Sequence, residues 1–223
     1  MKIGMALASR GRAARALALI ERARKLATGA IPVYIRVDQD DEQLSQYTAL
    51  REYATVEVGP RLAKGSAPHI NAAAMAAWRD GCNVVMQVAD DQLFETENWD
   101  AHLRIAIMRD TPADGIALFY TADGYLDAKQ VSHPIVTAHW ISHFGYFYPP
   151  AYNHFYADTD LENIARRSGR LFYVPEVNIR HYKHGLQDDL YMEIRAQGVM
   201  ADSRTYLERG AIRDKLVAEL GGK

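Results

Sequence analysis

Over the first 110 residues, short apolar runs alternate with amphipathic stretches. "KIGMALAS" (2–9) is apolar and stops at Ser-Arg-Gly, as a buried strand running into a loop does. "RAARALALIERARKLA" (12–27) repeats apolar residues at helical spacing. The alternation continues with a strand in "IPVYIRVDQDD" (31–41), a helix in "QLSQYTALREYA" (43–54) and a strand in "TVEVGP" (55–60). An Ala-rich helix follows in "HINAAAMAAWRDGC" (69–82), stopped at Gly81. "NVVMQVADD" (83–91) is the fourth strand and "NWDAHLRIAIMRD" (98–110) the next helix. Strands and helices at this spacing predict an α/β fold with a mostly parallel sheet and helices on both faces.

Beyond residue 110 the pattern changes. "DGIALFYT", "GYLDAKQ", "FGYFYPP" and "GRLFYVPEVNIRH" suggest short irregular strands rich in aromatics, with a helix in "DTDLENIARRSG" (158–169). Two amphipathic helices, "LQDDLYMEIRAQ" and "DSRTYLERGAIRDKLVAEL", form a C-terminal segment. No Ser/Gly-rich linker interrupts the chain. One domain is expected over 1–185, with halves of about 1–95 and 96–185, and a helical extension over 186–223.

Open α/β sheets bind ligands outside the carboxyl ends of their strands. Ser9, Asp38 and Asp90 fall at three such ends. Asp90 and Asp91 are adjacent acids after a buried strand, and their repulsion is relieved by a divalent cation or by solvent in a helix-capping turn. "ADTDLEN" reads as the start of a helix, with Asp160 an N-cap or first-turn acid favoured by the helix dipole and Asp158 open to the same reading. Arg12 sits in the first strand–helix turn, near backbone N–H groups that favour anions. Arg15 and Arg22 read as a solvated helix face, and Trp140 and Phe147 as core.

At 223 residues and 48% hydrophobic content, the chain is long enough for one sizeable core. A net charge of −2 and a pI near 6.4 give no overall basic footprint for nucleic acid. Arginines crowd the N-terminus, and a basic cluster follows residue 180. The single cysteine, Cys82, rules out an internal disulfide and a Cys-based zinc site, and points to a reducing cytosol. The sequence shows no secretory signal and no run long enough to cross a membrane, so no membrane insertion is expected.

Four segments together resemble the family-2-like glycosyltransferases of the GT-A fold, over about residues 2–184. They are "MALASRGRAARAL", "VYIRVDQDD", "VMQVADDQLF" in the place of a DXD-type metal motif, and "HFYADTDLENIARRSGRLFYVPEVNIRH", similar to the family's "EDxDL … G … H" region. Ala157 stands where a Glu is common, and Gln92 where a third Asp is common. The resemblance implies a GT-A-like, Rossmann-like sheet and metal-dependent, inverting transfer from a nucleotide-diphosphate sugar, a UDP-sugar first. Mn²⁺ or Mg²⁺ would be the cofactor, and the acceptor a glycan or a hydroxylated DNA base, since small members are similar to phage proteins.

By the same resemblance Asp91 and His181 hold the metal, with His184 as the alternative to His181. Asp158 is the general base. Ser9, Arg12, Asp38, Arg61, Lys64, Asn71 and Asp90 bind the nucleotide sugar. Two other classes stay open: a nucleotidyltransferase, disfavoured because "ASRGRAARA" lacks a "GxGTR"-like opening, and a nucleotide- or glycan-binding module without activity.

Overall fold

The computed structural model describes residues 1–63, 65–182 and 189–222. The first half follows the predicted alternation closely. Strands β1 (Ile3–Ala8), β2 (Val33–Asp38), β3 (Thr55–Gly59) and β4 (Val84–Val88) pair in parallel in the order β3-β2-β1-β4. Helices α1 (Ala13–Lys25), α2 (Leu44–Ala49) and α3 (Ala67–Arg79) connect them, and α4 (Trp99–Asp110) follows.

Every residue of β2 is buried, and β1 is buried up to its last residue, as strands covered on both faces must be. The period of two divides β1 between two cores. Ile3, Met5 and Leu7 face α1 and α4, meeting Ala16, Ile20 and Leu103. Ala6 faces the other side with Ala73, Ala74 and Ala77 of α3. The alanines of α3 let it lie close to the sheet: a Cβ on Gly4 would stand 2.7 Å from Cys82 Sγ and 3.3 Å from Ala77 Cβ.

The second half extends the sheet with mixed pairing. β5 (Gln92–Phe94), β6 (Leu118–Ala122), β7 (Ile135–Thr137) and β8 (Leu171–His181) complete the order β3-β2-β1-β4-β7-β6-β8-β5. β7 is antiparallel to β4 and β6, whereas β6 and β8 run parallel. β8 is long enough to pair with β6 at one end and, antiparallel, with β5 at the other. Helices α5 (Ala138–Phe144) and α6 (Ala157–Arg167) cover the α3 face, where Trp140 and Phe147 are buried as expected.

Several expectations fail here. "GYLDAKQ" and "FGYFYPP" are not strands: the first holds a 3₁₀ turn at Asp127–Lys129, and the second contains the end of α5 and its C-cap at Gly145, φ +79°. The strands β5 and β7 and the helix α5 are too short to show a period. The C-terminal segment breaks later than predicted, into α7 (Asp189–Glu208) and α8 (Gly210–Glu219). Arg22 is not simply solvated: its Nε donates to the Phe94 carbonyl at 3.0 Å.

Candidate active site

Register brings the carboxyl ends of β1, β2 and β4 to one edge. Ala8 lies beside Arg36, Leu7 beside Val88, and Asp38 beside Gly59. A cleft of about 640 Å³ opens there. Its walls come from the β1–α1 loop, the β4–β5 turn, the start of α6, the end of β8 and one side of α7.

Asp90 and Asp91 occupy the two central positions of the turn joining β4 to β5. The Gln92 N–H donates to the Ala89 carbonyl (3.1 Å), and the Ala89 N–H donates back to Gln92 Oε1 (2.8 Å). The side chain at the place of a third acid therefore braces this turn. It also separates the two carboxylates. Asp90 turns toward the β1–α1 loop, where Ser9 Oγ donates to Oδ2 (2.5 Å) and Arg12 Nη1 to Oδ1 (3.0 Å). Tyr47 Oη lies 2.6 Å from Ser9 Oγ and accepts from the Arg12 N–H at 3.0 Å. A short polar chain thus ends on Asp90, and Tyr47 is a member that the sequence did not signal.

Asp91 turns the other way. β5 pairs antiparallel with β8, placing His181 opposite Gln92, and the Tyr182 N–H donates to the Asp91 carbonyl. His181 Nε2 then lies 3.4 Å from Asp91 Oδ2. His133 packs edge-on against the His181 ring, with centroids 4.6 Å apart. Burial lifts the Asp90 carboxyl above its usual range, against the Ser9 hydrogen bond and the Arg12 charge. Burial also pushes Asp91 upward, but the neighbouring His181 and the charge of His133 outweigh it and hold Asp91 below the usual range.

Asp91 Oδ1 and His181 Nδ1 are buried and make no hydrogen bond among the described residues. Two donors 3.4 Å apart can both reach one cation at bond lengths of about 2.1 Å. Among the described residues no three His, Cys, Asp or Glu side chains gather closely enough to hold an ion by themselves. The residues fit a divalent cation whose remaining ligands come from a bound molecule or water.

Across the cleft, α6 starts abruptly after Tyr156, whose φ of +62° is left-handed and costly for a non-glycine residue. Asp158, in the first turn, lines the cleft. Its Oδ1 accepts from the Thr159 N–H (2.8 Å), and burial still pushes its carboxyl up to about 6. Asp160 points into the core instead. It is fully buried, accepts from Tyr152 Oη (2.6 Å) and pairs with Arg209 Nε (2.7 Å). It is not an N-cap: the cap position is Tyr156, with no side-chain cap bond.

The nucleotide-side residues divide. Ser9, Arg12, Asp38 and Asp90 line the cleft. Asp38 is buried and already engaged, with Oδ1 2.7 Å from His69 Nε2 and Oδ2 accepting from Arg10 Nη1 (3.0 Å). The other ring nitrogen of His69, Nδ1, lies 3.0 Å from the Gly65 carbonyl oxygen. The N–H groups opening α1 are not free for an anion: Gly11 donates to Asp41, Arg12 to Tyr47, and Ala13 to Gln43. Arg61 stays exposed outside the cleft lining, 3.9 Å from Asp38, with Nε on the Ala63 carbonyl. Asn71 does not reach the cleft. Its amide bonds the Tyr148 backbone at both ends, at 2.9 and 2.7 Å, pinning α3 to the loop after α5. Lys64 and His184 lie outside the described residues.

No protein-family model matches the sequence, and no curated protein matches it. Solved structures match across almost the whole chain. The S. aureus TarS fragment 1–349 in complex with UDP superposes with a TM-score of 0.61 at 12% identity, covering 99% of this chain and 70% of that one. The mannosyltransferase PcManGT from Pyrobaculum calidifontis, with GDP-Man and Mn²⁺, gives 0.64 at 12% identity over 98% and 69%. Glucosyl-3-phosphoglycerate synthase from Mycobacterium tuberculosis, with Mn²⁺, UDP and phosphoglyceric acid, gives 0.53 at 14% identity over 83% and 72%. The curled, mostly parallel sheet flanked by helices is thus the GT-A glycosyltransferase fold.

Proposed function

We propose that this chain is a metal-dependent, inverting glycosyltransferase that moves a sugar from a nucleotide diphosphate to an acceptor hydroxyl. One observation carries the reading: a single cleft holds the Asp91–His181 pair on one wall and the raised carboxyl of Asp158 on the other. The GT-A fold and neighbours solved with UDP, GDP-Man and Mn²⁺ support it.

In this reading Asp91 and His181 hold the cation, and an imidazole ligand favours Mn²⁺ over Mg²⁺. The bound cation supplies charge stabilisation for the departing diphosphate. Arg12 and Ser9 fix Asp90, which would meet the ribose hydroxyls or, through a water, the cation. Asp38, held by His69 and Arg10, faces the base. Asp158 takes the proton of the acceptor hydroxyl as that oxygen bonds to the anomeric carbon and the bond to the diphosphate breaks. Attack from the side opposite the leaving group inverts the anomeric centre. A carboxyl titrating near 6 is matched to that task at neutral pH.

Among the described residues no helix is long and apolar enough to cross a membrane. The test is nucleotide release from a panel of UDP- and GDP-sugars with Mn²⁺, using hydroxyl-bearing glycans and hydroxymethylated DNA as acceptors. Product configuration is read by NMR. Metal-dependent release with inverted product is expected. Nucleotide binding without release would reduce the chain to a binding module, and a retained configuration would remove Asp158 as base.

A further inference from the structure

Asp202 lies on α7 and takes no part in the cleft, yet it is 1% exposed. Its carboxylate accepts three consecutive backbone N–H groups: Asn153 on Oδ1 (3.2 Å), and His154 (2.9 Å) and Phe155 (2.8 Å) on Oδ2. Successive N–H groups make a concave anion site, and here a side chain of the same chain fills it. The segment so gripped leads directly into Tyr156, with its left-handed backbone, and then into Asp158.

Other contacts tie the same segment to α7. Gly198 passes close to Phe155, where an added Cβ would meet the ring at 3.6 Å. The Tyr156 ring packs on Tyr206, with centroids 5.5 Å apart. On its other side the segment meets α3, through the Ala67 N–H on the Asn153 carbonyl (3.0 Å) and Ser66 Oγ beside His154 Nδ1 (2.9 Å). A strained residue persists only where its surroundings over-determine it. Three charge-assisted bonds immediately upstream supply that determination.

We infer that Asp202 is a positioning residue for the transfer reaction: by gripping residues 153–155 it sets the start of α6 and hence the direction of Asp158. The inference rests on the reading of Asp158 as base. It makes α7 a working part of the acceptor side of the cleft.

Asp202→Asn tests it. An amide keeps one oxygen and turns N–H groups toward N–H donors, so at least one bond is lost in either orientation. Expected are a fall in kcat of tenfold or more, UDP affinity with Mn²⁺ within twofold of wild type, and faster amide exchange at residues 153–158. Arg209→Gln, which breaks the Asp160 ion pair without touching these N–H groups, is the control: it should lower the melting temperature and keep kcat. Should Asp202→Asn not fold, Asp202→Glu keeps the charge and displaces the oxygens, and the same separation of kcat from UDP affinity is expected. Wild-type kcat in whichever Asp202 variant folds, or a kcat loss that tracks melting temperature in the Asp202 and Arg209 variants alike, overturns the inference. The function reading fails separately, by absence of turnover in the wild-type chain. Unchanged amide exchange at 153–158 in Asp202→Asn sinks the positioning role whether or not the chain turns over.

Discussion

Asp91 and His181 are 90 positions apart in the sequence, and their side chains stand 3.4 Å apart because β5 pairs antiparallel with the end of β8. The carboxylate comes from a tight turn and the imidazole from a strand end, both backbone-anchored, so the pair is set before any ligand arrives.

Asp91→Asn is therefore expected to remove most metal-dependent turnover and leave the melting temperature near wild type, since the residue lies in a turn outside the packed core. Loss of a cation's charge stabilisation costs several kcal/mol of barrier. His181→Ala should raise the Mn²⁺ concentration for half activity more than it changes acceptor KM. Normal turnover of Asp91→Asn at saturating Mn²⁺ would contradict the metal assignment.

Asp158 carries a pH signature. With its carboxyl near 6, the base form is lost as pH falls through that value, so kcat/KM should drop on an acid limb there. Asp158→Asn should cut transfer ~10²–10⁴-fold with nucleotide affinity nearly unchanged. The same shift sets a stability trend. The folded state holds this proton more tightly than the unfolded chain, whose Asp titrates near 4. Stability from this group thus falls as pH rises from about 4 to about 6 and stays reduced above. Asp158→Asn should melt a few degrees higher than wild type at pH 7.5, and a lower melting temperature there would refute the burial argument.

Asp160, two residues on, should behave in the opposite way. A helix cap is worth ~1 kcal/mol, but this acid is a buried partner of Arg209 and Tyr152. Removing one side of a buried ion pair costs ~3–5 kcal/mol. Asp160→Asn should show that loss in denaturant melts while keeping turnover at temperatures where it stays folded.

Gly65 sets a steric limit on the same corner. A Cβ there would collide with the Asn153 carbonyl oxygen and stand 2.6 Å from His154 Cβ. Gly65→Ala should push the 153–155 segment away from α3, lowering both melting temperature and kcat. A variant with wild-type values in both would show that the corner opens freely.

The parallel half of the sheet was legible in the sequence, because each buried strand is a continuous apolar run and each helix carries apolar residues at helical spacing. Strand-end placement of Ser9, Asp38 and Asp90 followed from that alternation alone. What the sequence left open was set by pairing over long distances. β5 and β7 are three residues each, too short for any period, and only pairing with β8, β4 and β6 makes them strands. The division between Asp90 and Asp91 depends on Gln92 closing a turn and on which neighbour each carboxylate finds: Ser9 and Arg12 for one, His181 for the other. The resemblance assigns Asn71 to the nucleotide sugar, and only packing shows both ends of its amide bound to Tyr148. Asp160 reads as a helix-capping acid, and Asp202 only as the first residue of an amphipathic run. Burial turns Asp202 into the grip that joins α7 to the segment before α6, and Asp160 into a core partner of Arg209 between α7 and α8, because a carboxylate taken out of water must be matched by partners that lie far along the chain.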